Sequence, residues 1–178
     1  IPEGESGDFS IHHCTTTTGP PSWLNYVEYK GLTDDSYTVL CQKFGGAWLN
    51  IMQDSEAEHT EHDWLTSRMS GDVLLAGLGI GMIHIPLLAS SAVTSVTIVE
   101  KNQDVIDLVW ANCAKDDRFT LIHADINTWT LPEGSNWDVA WFDTWLTFDE
   151  SNSDYIARMN DRYGSYVSEM NGWEWPSE

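Results

Sequence analysis

A short apolar run at residues 73–76 and a β-branched run at residues 96–99 flank a glycine-rich turn and a longer, mostly apolar segment at residues 82–88. Runs of this length without alternation are typical of strands buried on both faces, and the segment between them is long enough for a helix. The second run ends in an acid, Glu100. The order of strand, glycine turn, helix, strand and acid predicts one nucleotide-binding βαβ unit.

Segments with helical or strand-like patterns follow on the C-terminal side of this unit. Residues 102–110 and 149–162 predict helices, and residues 119–125 and 137–143 predict a third and a fourth strand. Strands that alternate with helices indicate an α/β fold with a parallel, Rossmann-like sheet. Only about 35 residues follow Asp143, so we expect this sheet to be truncated at its C-terminal end.

The N-terminal part has a different pattern. Residues 1–22 show no periodic apolar face, and we expect a flexible arm there. Residues 23–52 contain strand-like segments around a Gly45–Gly46 turn, which predict an antiparallel hairpin or meander. Residues 55–70 predict a helix capped by Ser55. Residues 23–178 are therefore expected to form a single Rossmann-like domain, in which residues 53–178 are the cofactor-binding core and tail.

The charge narrows the classes of partner. Eight basic residues stand against 28 acidic ones, for a net charge of −20. Such a surface repels phosphate backbones, so nucleic acid is not expected as a partner. Two explanations remain open: adaptation to high salt, in which self-repulsion is screened, and attraction of a cationic ligand.

Several segment types are absent from the sequence. No apolar run reaches the length of about 18 residues that a membrane span needs. No basic-then-apolar leader is visible, and three separated cysteines show no disulfide or zinc spacing. We therefore expect a cytoplasmic protein with reduced thiols and no membrane partner.

Three successive predicted strands end in a carboxylate. These acids are Glu100, Asp125 and Asp143. In an open parallel sheet, ligands bind outside the carboxyl ends of the strands, so the three acids are expected to line one crevice. Glu100 could accept from two ribose hydroxyls and Asp125 from an adenine amine, with Asp143 near the reacting end. The alternative for each acid is a cap on the following helix.

The glycine turn discriminates between nucleotide ligands. It reads G-x-G-x-G, with glycines at positions 77, 79 and 81. A dinucleotide fingerprint needs a small residue where Met82 stands, so NAD is disfavoured. No G-x-x-x-x-G-K-[ST] sequence occurs, which disfavours a nucleoside triphosphate.

These motifs resemble a known family. The segments VLLAGLGIG, IVEKNQDVIDLV, HADI and WDVAWFDTW are similar to the motifs of class I S-adenosylmethionine-dependent methyltransferases and of the related spermidine synthases. A group of methyltransferase-like proteins of phages and bacterial genomes shows a further similarity, matched here by Met52, Asp54, Glu58 and His62. The resemblance covers about residues 45–175.

The resemblance implies S-adenosyl-L-methionine as the cofactor, with roles for individual residues. Asp143 is the implied catalytic residue. The implied cofactor-binding residues are Gly77, Leu78, Gly79, Gly81, Glu100, Lys101, Asp125, Ile126 and Asp143. The candidate substrate-binding residues are Gln53, Glu58 and Trp145. No metal site is predicted, because the acids and histidines between Glu58 and His62 are read as a solvated helix face.

Three functions remain open at this point. The first is methyl transfer to a small molecule, which the acidic crevice would suit if that molecule is cationic. The second is aminopropyl transfer, as in spermidine synthases, although Asp143 is followed here by Thr-Trp-Leu and not by their longer acidic signature. The third is a catalytically degenerate binding or assembly module. No N/D-P-P-Y signature occurs, which disfavours methylation of DNA bases, and we expect a homo-oligomer.

Overall fold

The computed structural model describes residues 1–33, 36–144 and 152–176. The elements, numbered in chain order, are β1 (Gly4–Ser6), β2 (Phe9–Cys14), α1 (Pro21–Lys30), β3 (Tyr37–Phe44), β4 (Ala47–Gln53), α2 (Glu56–Glu61), α3 (Asp63–Thr66), β5 (Gly71–Ala76), α4 (His84–Ala89), β6 (Val93–Glu100), α5 (Gln103–Val109), β7 (Phe119–His123), β8 (Trp137–Phe142), α6 (Asn152–Tyr163) and β9 (Val167–Gly172). No helix in these described ranges is both long and apolar enough to cross a membrane.

The chain forms two compact units, whereas the sequence predicted one domain over residues 23–178. The first unit comprises residues 1–60, 79–82 and 103–113. The second comprises residues 61–78, 83–102 and 114–178. The boundary therefore passes through the glycine turn, because Gly77 and Leu78 belong to the second unit and residues 79–82 to the first.

In the first unit, strands β1 to β4 form an antiparallel sheet in that order. This confirms the predicted N-terminal antiparallel segment. The two-residue turn between β3 and β4 is Gly45–Gly46, with φ of 56° and 88°. Positive φ at both central residues matches the twist of a tight hairpin, and glycine adopts it without steric cost.

The predicted flexible arm over residues 1–22 differs from the structure, which places β1, β2 and the start of α1 there. Strand β2 pairs with β3 along its whole length. Phe9 and Ile11 point to the same side and are buried, with exposed fractions of 5% and 1%. Only these two apolar residues follow the alternating pattern of a strand. The strand therefore depends on pairing with β3, a long-range contact that local periodicity does not reveal.

Residues 23–29 form part of helix α1, not the predicted strand-like segment. Trp23 and Val27 are the buried residues of this helix, four positions apart on one face. They join a core cluster that also contains Tyr37 and two cysteines. Gly31, at φ 65°, ends the helix, and its N–H donates to the Val27 carbonyl at 2.8 Å.

The cysteines of this cluster are free and buried. Burial raises the pKa of the Cys14 thiol to about 11 and that of Cys41 to about 12. Both thiols are therefore protonated near neutral pH and unreactive as nucleophiles.

In the second unit, five parallel strands form a sheet in the order β7-β6-β5-β8-β9. Numbered along the chain, the strand order is 3-2-1-4-5, which is the arrangement of a doubly wound nucleotide-binding fold. The direction of the strand order changes between β5 and β8. The predicted α/β fold with a Rossmann-like sheet is confirmed. The core of this unit packs α6, through Tyr155, Met159 and Tyr163, against residues of the central strands.

Strand β9 is a fifth parallel strand, for which the sequence left little room. Its sequence, VSEMNG, has no apolar alternation. It lies at the edge of the sheet and pairs with β8 from Trp137↔Val167 to Phe142↔Gly172. Backbone pairing fixes this edge strand, whose buried positions include the polar Asn171 and Gly172, which explains why a hydrophobicity pattern misses it. Within residues 152–176, no strand follows it.

The predicted helix over residues 55–70 is two short helices. Helix α2 ends at Glu61, and α3 begins at Asp63 with His62 as its N-cap residue. This break turns the His62 side chain into the protein interior, where it is 4% exposed.

Candidate functional site

The three predicted acids follow neighbouring strands of the second unit. Glu100 is the last residue of β6, Asp143 follows β8 directly, and Asp125 lies two residues beyond β7. Strands β6, β7 and β8 all run parallel to β5 or to each other. The three residues therefore lie at the carboxyl end of one sheet.

The Glu100 carboxylate is buried and bridges two backbone segments. The Leu78 N–H donates to Oε2 at 3.0 Å, and the Asn102 N–H donates to Oε1 at 2.7 Å. The first bond ties the glycine turn to the end of β6. An ionised carboxylate has about four acceptor positions, so two remain after these bonds.

Gly77 is required where the turn leaves β5. Its φ is 98°, and a Cβ there would lie 2.6 Å from the Asp143 carbonyl oxygen. Its N–H donates to the Val99 carbonyl at 2.9 Å. The glycine thus brings the turn close to the backbone that carries Asp143.

Asp125 organises the turn that follows β7. Its Oδ1 accepts from the Asn127 N–H at 2.8 Å and from the Asn127 side-chain amide at 2.7 Å. Partial burial favours the neutral acid, but these bonds and the positive charges of Lys101 and Arg158 outweigh it and lower the pKa of Asp125. Asp125 is therefore anionic near neutral pH and stabilises a turn, whereas the alternative of a cap on a following helix does not apply, because the described residues between β7 and β8 form no helix.

Ile126 lies in the same turn, and helix α6 holds its backbone. The Ile126 side chain is 3% exposed and belongs to the core of this unit. Its carbonyl accepts from the Tyr163 hydroxyl at 2.6 Å and from Arg162 Nε at 3.2 Å. Lys101 is exposed, and its carbonyl lies 3.1 Å from His123 Nε2.

Asp143 faces a buried histidine. His62 Nε2 lies 3.8 Å from Asp143 Oδ2, and the two side chains are 5% and 30% exposed. The acid is thus reachable from solvent while the imidazole is not. The sequence interpretation placed His62 on a solvated helix face, and this is wrong. Its spacing of three from Leu65, which is fully buried, was the available signal for an inward-facing position.

Aromatic and hydroxyl groups complete the surroundings of this pair. The His62 ring lies 5.7 Å from the Trp141 ring, and Trp141 stacks on Trp64 at 6.2 Å. Thr144 Oγ1 lies 2.7 Å from the Tyr155 hydroxyl. Burial raises the pKa of Tyr155, and the nearby Asp143 charge adds to this, so the phenol remains protonated.

The other predicted glycines lie in the first unit. Gly79 and Gly81 have φ of 52° and 70°. A Cβ on Gly79 would meet the Met52 sulfur, and one on Gly81 would lie 2.6 Å from the Cys113 Cβ. The Ile80 N–H also donates to Met52 Sδ at 3.4 Å. Packing within this unit therefore requires both glycines, whatever ligand they serve.

The predicted substrate residues of the first unit contact each other. The Gln53 side chain is 3% exposed and donates to Glu58 Oε1 at 2.7 Å and to the Tyr26 hydroxyl at 3.0 Å. These bonds give Gln53 and Glu58 a structural role in joining β4 to α2. Trp145, the third predicted substrate residue, lies outside the described residues.

The acids and histidines of residues 58–62 are spaced three and four positions apart, as metal ligands on a helix can be. Across the parts of the chain that the structure describes, no three His, Cys, Asp or Glu side chains come close enough to share an ion. Glu58 contacts Gln53 and His62 contacts Asp143, so these two side chains have different environments.

Comparison with known proteins gives matches among solved structures. No protein-family model and no curated protein matches the chain. The N-methyltransferase NodS of Bradyrhizobium japonicum WM9 matches at 13% identity and a TM-score of 0.49, over 64% of this chain and 64% of that one. The protein yhhF of Escherichia coli, provisionally described as a methyltransferase, matches at 16% identity and a TM-score of 0.45, over 59% and 60%.

A third structure, provisionally described as an RNA methyltransferase from Pyrococcus horikoshii, matches at 15% identity and a TM-score of 0.46, over 65% of this chain and 54% of that one. The chain thus spans about three fifths of the length of these structures. At these levels of similarity the matches assign no activity. Closeness to spermidine synthases and to phage proteins stays a prediction. The chain has a Rossmann-like sheet in the 3-2-1-4-5 order.

Proposed function

We propose that this protein is an S-adenosylmethionine-dependent methyltransferase that acts on a small molecule. One observation carries the proposal. The Leu78 and Asn102 N–H groups fix the buried carboxylate of Glu100 beside the glycine turn. Glu100 lies at the carboxyl end of the parallel sheet, where Asp125 and Asp143 also lie. Acids in these places provide acceptors for the ribose and adenine of an adenosyl ligand and a carboxylate for the acceptor molecule.

The donors and acceptors present fit an adenosyl group. Glu100 would hold the ribose hydroxyls, and Asp125 would accept from the adenine amine through the oxygen that Asn127 does not use. The Ile126 side chain is already buried in protein, so an adenine would meet the backbone of this turn. None of these groups is a phosphate-binding cation, which favours a ligand without phosphate over a dinucleotide.

S-adenosylmethionine would supply an electrophilic methyl group on a sulfonium, whose sulfur keeps the electron pair of the broken C–S bond when the methyl leaves. The contribution of the protein is then mainly to position the acceptor. Asp143, with its carboxylate partly open to solvent, is the group that would orient an amine or hydroxyl and accept its proton.

Calorimetric titration with S-adenosylhomocysteine tests the proposal. We expect one site with a dissociation constant on the order of 10 µM, near typical cofactor concentrations. Replacing Glu100 by Gln removes a charged acceptor and should weaken binding at least about tenfold. Asp143→Asn serves as the matched control, because it should leave this affinity within about threefold while abolishing transfer. Absence of binding to the folded wild-type protein would reject the proposal.

A binding or assembly module is the second candidate, and one observation favours it. The Met52 thioether fills the space next to Gly79, and Cys113 fills that next to Gly81. A protein in which these glycines serve packing alone needs no cofactor. This candidate predicts no heat with S-adenosylhomocysteine, at any salt concentration at which the protein is folded.

A further inference from the structure

His62 is the buried partner of the accessible acid Asp143. The imidazole lies at the start of α3 and the carboxylate at the end of β8, with Nε2 and Oδ2 3.8 Å apart. Their side chains are 5% and 30% exposed. A molecule that enters from solvent therefore meets Asp143, and His62 acts through it.

The surroundings strengthen the interaction between the two charges. The ring of Trp141, a residue that is 4% exposed, lies 5.7 Å from the His62 ring and covers it. The Trp141 indole N–H has no hydrogen-bond partner among the described residues. The imidazole therefore lies in a weakly polar environment, in which charges are screened less than in water.

Other charged groups near the pair have partners of their own. Glu61, next to His62 in sequence, accepts from the Trp173 indole N–H at 2.7 Å. The Arg68 guanidinium lies 4.8 Å from the Trp64 ring, and Arg68 also pairs with Glu169 at 3.4 Å. The phenol of Tyr155 lies beside Thr144 and remains protonated. The Asp143 carboxylate lies within 4 Å of the His62 imidazole, with which it forms an ion pair when the ring is protonated.

We propose that His62 and Asp143 act as one proton-holding pair that selects a primary amine as the methyl acceptor. This inference rests on the proposed function and names its substrate class. With neutral His62 the pair carries one negative charge and attracts an ammonium ion. With protonated His62 the pair is neutral, and the attraction is lost.

The same pair prepares the amine for reaction. An N–H bond of the bound ammonium breaks, and the proton is taken up by the pair, which changes from a net charge of −1 to zero. The electron pair stays on nitrogen, which becomes a neutral nucleophile. Asp143 contacts the acceptor, whereas His62 is a positioning residue that sets when the pair can accept the proton.

The pair itself is tested by proton–nitrogen NMR of the histidine rings in the full chain. We expect the titration midpoint of His62 to fall by at least about half a pH unit in Asp143→Asn, because the carboxylate favours the imidazolium. The exposed His59 provides the internal control and should not move. An unchanged His62 midpoint in Asp143→Asn overturns the proposal.

The substrate class is tested with benzylamine and benzyl alcohol, which share a shape and differ in charge. We expect benzylamine to bind the wild-type protein at pH 8 at least about fivefold more tightly than at pH 5.5, and benzyl alcohol to show no such preference. His62→Gln should remove the pH dependence. If this buried substitution prevents folding, Asp143→Asn gives the second readout, since it should abolish amine binding.

Equal binding of the amine and the alcohol, binding that does not change with pH, or no amine binding at pH 8 would each overturn the inference. The control titration with S-adenosylhomocysteine separates the two proposals. Binding of that ligand without an amine preference leaves the methyltransferase proposal intact and removes the substrate class. If the wild-type protein does not bind S-adenosylhomocysteine, the methyltransferase proposal is rejected. The NMR comparison then still decides whether His62 and Asp143 interact.

Discussion

Individual residues show which sequence signals carried structural information. The glycine at position 77 was singled out by its place between a strand and a helix, and the structure gives it a steric reason, a Cβ that would lie 2.6 Å from the Asp143 carbonyl oxygen. The pairing of His62 with Asp143 was not predictable from spacing, because 81 positions separate the two and only the packing of α3 on β8 joins them.

Gly77→Ala should destabilise the second unit by at least about 2 kcal/mol, because it combines an unfavourable φ of 98° with a backbone clash. Gly134→Ala is the matched control. Its φ is 80°, and no atom lies within 4 Å of the added Cβ, so it should cost only the conformational part, about 1 kcal/mol. Urea unfolding of both variants measures the difference. Equal losses of unfolding free energy in the two variants would show that Gly77 does not lie in close contact with the Asp143 carbonyl oxygen.

His84 makes stability depend on pH. It is fully buried, and burial lowers its pKa to about 4, against the weaker opposing effect of the hydrogen bond to the Ala114 carbonyl at 3.1 Å. The unfolded chain therefore binds a proton more readily than the folded one. The stability that His84 contributes is complete above pH 6.5 and is lost as the pH falls towards 4, by about 3 kcal/mol at most.

His84→Asn keeps a donor for the Ala114 carbonyl and cannot titrate. The difference in unfolding free energy between wild type and variant should then shrink or reverse between pH 6.5 and 4. Urea unfolding at three pH values measures it. A difference that does not change with pH would contradict the assigned pKa.

At the scale of elements, buried parallel strands were predictable and pairing-dependent ones were not. Strands β5, β6 and β8 each end in a run of consecutive buried residues, so their local sequence suffices. Strand β2 and edge strand β9 take their conformation from neighbours, which no local pattern reveals. Helix α1 contradicts the strand-like pattern because its aromatic residues favour strands, and the spacing of the buried Trp23 and Val27 is the signal that indicates a helix.

Helix α6 fixes the turn after β7, where Asp125 lies. Tyr163→Phe removes one donor to the Ile126 carbonyl and leaves the Arg162 bond. We expect a loss of about 1 to 2 kcal/mol in stability and weaker preference for adenosine over inosine, since the turn that presents Asp125 loosens. Tyr166→Phe, at an exposed tyrosine, is the control and should change neither quantity. Unaltered stability in Tyr163→Phe would contradict the role of this hydroxyl.

At the scale of the whole molecule, the charge of −20 has to be balanced by the medium or by a ligand. The described ion pairs of Arg68 and Arg118 are partly exposed and contribute little. If the acidity is an adaptation to high salt, the thermal midpoint should rise by several degrees between about 0.1 and 2 M potassium chloride, because screening removes self-repulsion. A midpoint that is flat or falls would favour a cationic ligand as the balancing charge.

The central claim is that the carboxyl end of the parallel sheet, between Glu100 and Asp143, binds an adenosyl ligand. The structure of a crystal soaked with S-adenosylhomocysteine tests this claim most directly. We predict that Glu100 accepts from both ribose hydroxyls, that the adenine lies at the Asp125 turn, and that the sulfur faces Asp143. A ligand bound elsewhere, or a sheet edge that stays free of ligand at saturating concentration, would contradict the account.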